Sequence, residues 1–285
     1  LYFSSKIRVI LTSATLTSAV GGPLENQYAY FLHNTGFPVG RTGILSEPHP
    51  SPYPYDEHAM IYFCDDLPTN ADHEAFIEKG VERLIQVLNI SQGKLWCCLP
   101  PRRIWKKSMQ RFKAEIFHTK ILIQQNGASQ ERVLQAFRND VNSVLLGTGA
   151  YWEGISIEGK SLSNLVIFRL PFPVPDPIIE YKASIAKDAM MDVRVPEMII
   201  KLKQGIGRLI RNFSDTGIVS IIDSLSGTPS RSDTTILLGT RCLSIAAPLI
   251  SKRSKPFIIR YAIEAGLQSF VFAPNERKNS AGDLF

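Results

Sequence analysis

Cysteine is scarce in this chain of 285 residues, which has only Cys64, Cys97, Cys98 and Cys242. Their scatter excludes a disulfide framework and their spacing matches no zinc or iron–sulfur motif, so a cytoplasmic setting is expected. Long apolar runs are missing as well. The most apolar stretches are broken by Arg, Asp or Pro within about 8 positions, far short of the roughly 18 residues that a membrane helix needs, so no membrane partner is expected. No repeat, low-complexity tract or composition shift divides the chain. Charged residues make up only 20% against 44% apolar residues, which excludes a disordered chain, a coiled coil and a fibre. His33, His49, His58, His73 and His118 stand at no metal-ligand spacing, and no Ser-His-Asp arrangement is legible. Residues 1–5, Leu1-Tyr2-Phe3-Ser4-Ser5, lack the charged start of a signal peptide and read as the remnant of a cleavable tag, with the natural sequence beginning near Lys6.

What is present points to a globular α/β protein with a taste for phosphate. Basic residues number 32 against 26 acidic ones, a net charge of +6 that suits contact with nucleic acid. Near-continuous apolar runs at 60–64, 94–99, 121–123, 143–147, 165–170 and 218–222 read as strands buried on both faces, hence a parallel sheet. Helical periodicity falls between them, at about 71–89, 101–115, 129–138 and 196–211. The alternation predicts a three-layer α/β domain. Prolines at every second position, Pro48 to Pro54 and Pro171 to Pro177, predict two rigid extended connectors. The expected layout is a loop-rich connector over 6–60 and one compact domain over 61–285.

Three features bear on chemistry. Gly154-Ile155-Ser156-Ile157-Glu158-Gly159-Lys160-Ser161 spells a phosphate loop, but the preceding strand ends near Gly147 and the next begins near Leu165, leaving no room for the helix such a loop must open. The match is read as coincidence. In the helix predicted after Pro196, Ile199, Leu202, Ile206, Leu209 and Ile210 form an apolar stripe, with Gln204, Arg208 and Arg211 as a polar row opposite. Gly205 and Gly207 weaken that helix by about 1 kcal/mol each and mark a close approach to the backbone, and paired arginines can share an oligophosphate. The third feature is Arg102, Arg103, Lys106, Lys107, Arg111 and Lys113, with Trp105 among them. This segment reads either as a phosphate-tracking surface with a stacking aromatic or as a solvated helix with Trp105 in the core.

Three segments in order resemble those of DinG-type DNA helicases, relatives of XPD within helicase superfamily 2. Leu11-Thr12-Ser13-Ala14-Thr15-Leu16 is similar to motif III, Gly147-Thr148-Gly149-Ala150-Tyr151-Trp152-Glu153-Gly154 to motif V, and Gln204-Gly205-Ile206-Gly207-Arg208-Leu209-Ile210-Arg211 to motif VI. Leu170-Pro171-Phe172-Pro173 and Asp176-Pro177 resemble the stretch that follows motif V. The resemblance implies a second RecA-like domain, α/β with a mainly parallel sheet and no phosphate loop of its own. It implies that Arg208 and Arg211 act as arginine fingers on ATP, that Gln204 orients them or the attacking water, and that Ser13, Thr15, Glu153, Gly154 and Ser156 couple nucleotide to strand movement. Single-stranded DNA would be held through Arg102, Arg103, Lys106, Lys107, Tyr151 and Trp152. ATP and Mg²⁺, and the family's iron–sulfur cluster, belong mainly to a first RecA-like domain of the same protein. Ser156 stands where the family has an aspartate, and Cys98-Leu99-Pro100-Pro101 where motif IV has Phe-Thr-Ser, which leaves open a non-catalytic helicase-like scaffold.

Overall fold

The computed structural model describes residues 9–223 apart from 19–21, 41–42, 50, 54–57, 65–66, 69–71, 92–94, 99–107, 117–118, 124–128 and 148–161. The six apolar runs are strands: β1 (Ala59–Phe63), β2 (Leu95–Cys98), β3 (Ile121–Ile123), β4 (Val144–Gly147), β5 (Asn164–Phe168) and β6 (Gly217–Ile222). They form one sheet in the order β1-β6-β5-β2-β4-β3, and every pairing in it is parallel. Side chains alternate between its two faces, as a period of two requires. On one face Trp96, Leu145, Leu165, Ile167, Val219 and Ile221 pack with α5 (Gln130–Arg138) and α7 (Val195–Ile206). On the other, Leu95, Val144, Val166 and Phe168 pack with α3 (His73–Ser91) and α4 (Ser108–Glu115). The three-layer α/β architecture follows directly.

Before the sheet, the connector contains two short helices, α1 (Leu24–Gln27) and α2 (Ala29–Thr35). After β5 the proline-rich segment runs extended through residue 176. Pro177 then opens α6 (Pro177–Ile185), where Asp176 Oδ1 accepts the Ile178 and Ile179 N–H groups at 2.8 and 2.9 Å. The predicted connector therefore stops one proline early: Pro177, which lacks an N–H, suits a first helical turn that leaves that N–H unpaired anyway. A π-helical turn (Ala189–Arg194) leads into α7.

Two further boundaries differ from expectation. β5 stops at Phe168 because Arg169 is left-handed, with φ of 75°, the one non-glycine residue with positive φ among those described. That conformation costs an L-residue about 1–2 kcal/mol. It is held by the Arg169 N–H donating to the Ile222 carbonyl at 2.9 Å and the Leu170 N–H to Asp223 Oδ2 at 2.7 Å. The helix predicted over 196–211 ends at Ile206, with Gly207 as its cap. Beyond it the Arg208 and Leu209 N–H groups reach back only three residues, to the Gly205 and Ile206 carbonyls, so the chain tightens into a turn. Gln204 therefore lies on the helix, whereas Arg208 and Arg211 follow it and form no helical row.

Candidate functional site

In an open parallel sheet, ligands bind at the carboxyl ends of the strands where neighbouring connections leave in opposite directions. That point lies between β2, whose chain runs on toward β3, and β5, whose chain runs on toward β6. Cys98 ends β2 there, paired with Ile167 of β5. Burial pushes the Cys98 thiol well above its ordinary range, and the positive charge of Arg208 acts against that rise.

The turn that carries Arg208 and Arg211 is seated by apolar packing. Leu209 and Ile210 are buried in the same cluster as Leu170, Leu202 and Ile206, with Phe172 packed against it. Asp215 closes the other end, its Oδ2 accepting the Arg211 N–H at 3.0 Å and the Asn212 N–H at 3.2 Å. Both arginines are half-buried, and a guanidinium's planar donors suit binding of phosphate oxygens.

The segment carrying Ser13 and Thr15 lies against the end of α7. Gln204 Nε2 donates to Thr15 Oγ1 at 3.4 Å, bringing together residues 189 positions apart. The Thr15 N–H donates to Ser13 Oγ at 3.3 Å, so Ser13 shapes the local turn and Thr15 makes the contact with α7. Lys203 was missed by sequence reasoning. Its Nζ donates to the Thr17 carbonyl at 2.8 Å and to Thr17 Oγ1 at 3.2 Å, and burial lowers its pKa below the usual lysine value. At the start of α7, the Tyr30 hydroxyl of α2 donates to Glu197 Oε1, with Lys182 Nζ 3.3 Å from that hydroxyl and 3.4 Å from the carboxylate. Burial and Glu197 raise the Tyr30 pKa well above its ordinary value. Thr15 and Thr17 thus meet α7 near its end and Tyr30 meets it near its start, on a helix of 12 residues or about 18 Å. No sequence signal pairs Tyr30 with Glu197.

The other site residues of the sequence reading, Arg102, Arg103, Lys106, Lys107, Tyr151, Trp152, Glu153, Gly154 and Ser156, lie outside the described residues. So do 154–161 of the phosphate-loop spelling; β4 ends at Gly147 and β5 begins at Asn164, the bounds that left no room for a helix. Gln204, Arg208 and Arg211 carry hydrogen-bond donors of the kind that phosphate oxygens accept. Among the described residues no group of three or more His, Cys, Asp or Glu stands close enough to hold a metal ion, and Cys64, Cys97 and Cys98 are buried free thiols. No described helix is long and apolar enough to cross a membrane.

Residues 84–234, more than half of the chain, match the helicase C-terminal domain family. The chain belongs to that family. Its relatives give the domain a DinG-type character. It is 33% identical over 224 residues to the ATP-dependent DNA helicase YoaA of Haemophilus influenzae, covering 75% of this chain and 32% of that protein. It is 30% identical over 236 residues to the 3'-5' exonuclease DinG of Bacillus subtilis, covering 78% of this chain and 24% of that protein. The chain thus spans about a quarter to a third of the length of these relatives. Among solved structures, it is similar to S. tokodaii Xpd4, with a TM-score of 0.41 and 17% identity over 59% of this chain and 34% of that one.

Proposed function

We propose that this chain, in its 61–285 portion, is the second of two motor domains in an ATP-dependent helicase that translocates on single-stranded DNA and unwinds duplexes, with 6–60 as the coupling connector. The observation that carries this is the convergence on α7. Thr15 from the motif III-like segment meets Gln204 near the end of that helix, and the turn that carries Arg208 and Arg211 follows directly. A helix touched by that segment and followed at once by a turn with two arginines can move those arginines when the segment moves. In the assembled motor, ATP and Mg²⁺ would be held mainly by the first domain of the same protein. Arg208 and Arg211 would then reach the phosphates from across the cleft and stabilise charge as the γ-phosphoryl leaves, while Gln204 orients them or the attacking water. Glu153, Gly154 and Ser156 would join Ser13 and Thr15 in coupling nucleotide to strand. Arg102, Arg103, Lys106 and Lys107 would track backbone phosphates, with Tyr151 and Trp152 in the loop against the strand, giving low sequence specificity.

A second reading, a helicase-like scaffold without catalysis, is favoured by one observation: Ser156 replaces an aspartate, and a hydroxyl cannot act as an ionised acceptor. ATP turnover separates the two. The chain alone should hydrolyse no Mg²⁺-ATP above background, and joined to its first motor domain it should show turnover stimulated by single-stranded DNA. A joined protein that folds and binds DNA without turnover supports the scaffold. Turnover by the chain alone, abolished by Lys160→Ala, would overturn both and restore the phosphate-loop reading of 154–161.

A further inference from the structure

Arg169 carries a strained backbone that its neighbours do not require of an arginine. A left-handed residue at the end of β5 turns the chain so that Phe168 packs on the α3 face and Leu170 on the α7 face. Glycine would make that turn without strain. Residues held in such conformations gather at sites of function, where the side chain is what is being kept. The side chain here is held in a set position. Its Nη2 donates to Nδ1 of His73, the first residue of α3, at 2.8 Å, and its guanidinium carbon lies 4.6 Å above the ring of Phe76. That ring is fully buried and pinned edge-on by Phe168, at 6.0 Å between centroids and 83° between planes. A planar cation stacked on a fixed ring is oriented before any ligand arrives. The charge of buried Asp223 also acts on the guanidinium, and Asp223 Oδ2 accepts the Leu170 N–H.

Position separates this arginine from the nucleotide-facing pair. Leu209 and Ile210, which follow Arg208, belong to the cluster on the α7 face, whereas Phe76 belongs to the cluster on the α3 face. Arg169 follows the carboxyl end of β5, next to β2, where ligands of such sheets gather. The chain that carries Arg102, Arg103, Lys106 and Lys107 leads into α4, whose Phe112 packs in the same cluster as Phe76.

We propose that Arg169 is a preorganised contact to the backbone phosphate of single-stranded DNA, on the α3 face and distinct from the pair that faces ATP. This rests on the DNA-binding reading above and adds a residue that none of the helicase-like motifs contains. The test is a salt titration of a fluorescently labelled single-stranded oligonucleotide, run below the unfolding midpoint of every variant as followed by circular dichroism. Arg169→Gly should hold or raise the thermal midpoint, because glycine takes the left-handed turn freely. It should weaken binding about tenfold, the scale of a lost charged hydrogen bond, and flatten the log–log salt slope by roughly 0.7 for the phosphate lost. Arg169→Lys should keep the slope yet bind more weakly than wild type, having charge without the stacked plane. Unchanged affinity and slope in Arg169→Gly, with a lowered midpoint, would show that Arg169 serves the fold and overturn the proposal. Wild type that binds no oligonucleotide even at low salt would instead overturn the DNA-binding reading itself, and this contact with it.

Discussion

Lys203 joins a half-buried ammonium to the segment that resembles a coupling motif. Its Nζ reaches both the Thr17 carbonyl and hydroxyl, yet burial still lowers its pKa, so removal from water outweighs what those contacts return. The sign of its pH effect follows. Between the folded value and the ordinary 10.5, the native state binds fewer protons than the unfolded chain, and stability at this position therefore rises with pH across that window. Methionine at 203 does not titrate. The midpoint of wild type should gain on that of Lys203→Met as pH rises toward 10.5, measured by scanning calorimetry. A wild-type midpoint that does not rise relative to that of the variant over this range would contradict a desolvated ammonium.

At the scale of elements, α3 and β5 approach so closely that their contact excludes a methyl group. A Cβ on Gly80 would lie 2.5 Å from Phe168 Cζ and 3.3 Å from Ile222 Cγ2. Phe168 is buried against Phe76 and cannot swing away. Alanine would gain about 1 kcal/mol of helix propensity, but overpacking a filled core costs about 1–3 kcal/mol, and here the clash is with a pinned ring. Gly80→Ala should therefore lower stability by about 1 kcal/mol in urea denaturation; unchanged or higher stability would mean that the α3 and β5 layers separate easily. The same packing shows why the end of α7 misleads a reader of the sequence. Leu209 and Ile210 continue the helical period of Ile199, Leu202 and Ile206, and all five are buried. The last two are buried from a turn, however, because Gly207 lets the chain leave the helix while its apolar side chains stay in the same cluster. Periodicity reports burial, and burial outlasts the helix by a turn.

Across the whole molecule, the sheet was legible because strands buried on both faces read as unbroken apolar runs, and all six runs became strands within two residues of their expected bounds. The order of the strands was not, since no local signal says that β2 inserts beside β5. Nor was the left-handed Arg169, a conformation whose usual signals are Gly, Asn and Asp. Thr15 and Gln204 were legible as a pair of motifs but not as partners, and Tyr30 meets Glu197 across 167 positions with nothing in either stretch to announce it. Long-range contact is what folding adds to a pattern of local preferences. In this protein it holds Thr15 and Thr17 near the end of α7, next to the arginine turn, and Tyr30 near its start. The central claim is that this turn acts on ATP, and it is tested most directly by steady-state turnover, stimulated by single-stranded DNA, of the chain joined to its first motor domain. Arg208→Ala and Arg211→Ala should each lower kcat by about 10³-fold or more, the scale of a lost arginine finger, while the folded protein and its DNA affinity remain. Turnover unchanged in both variants, or lost only in step with unfolding, would contradict it.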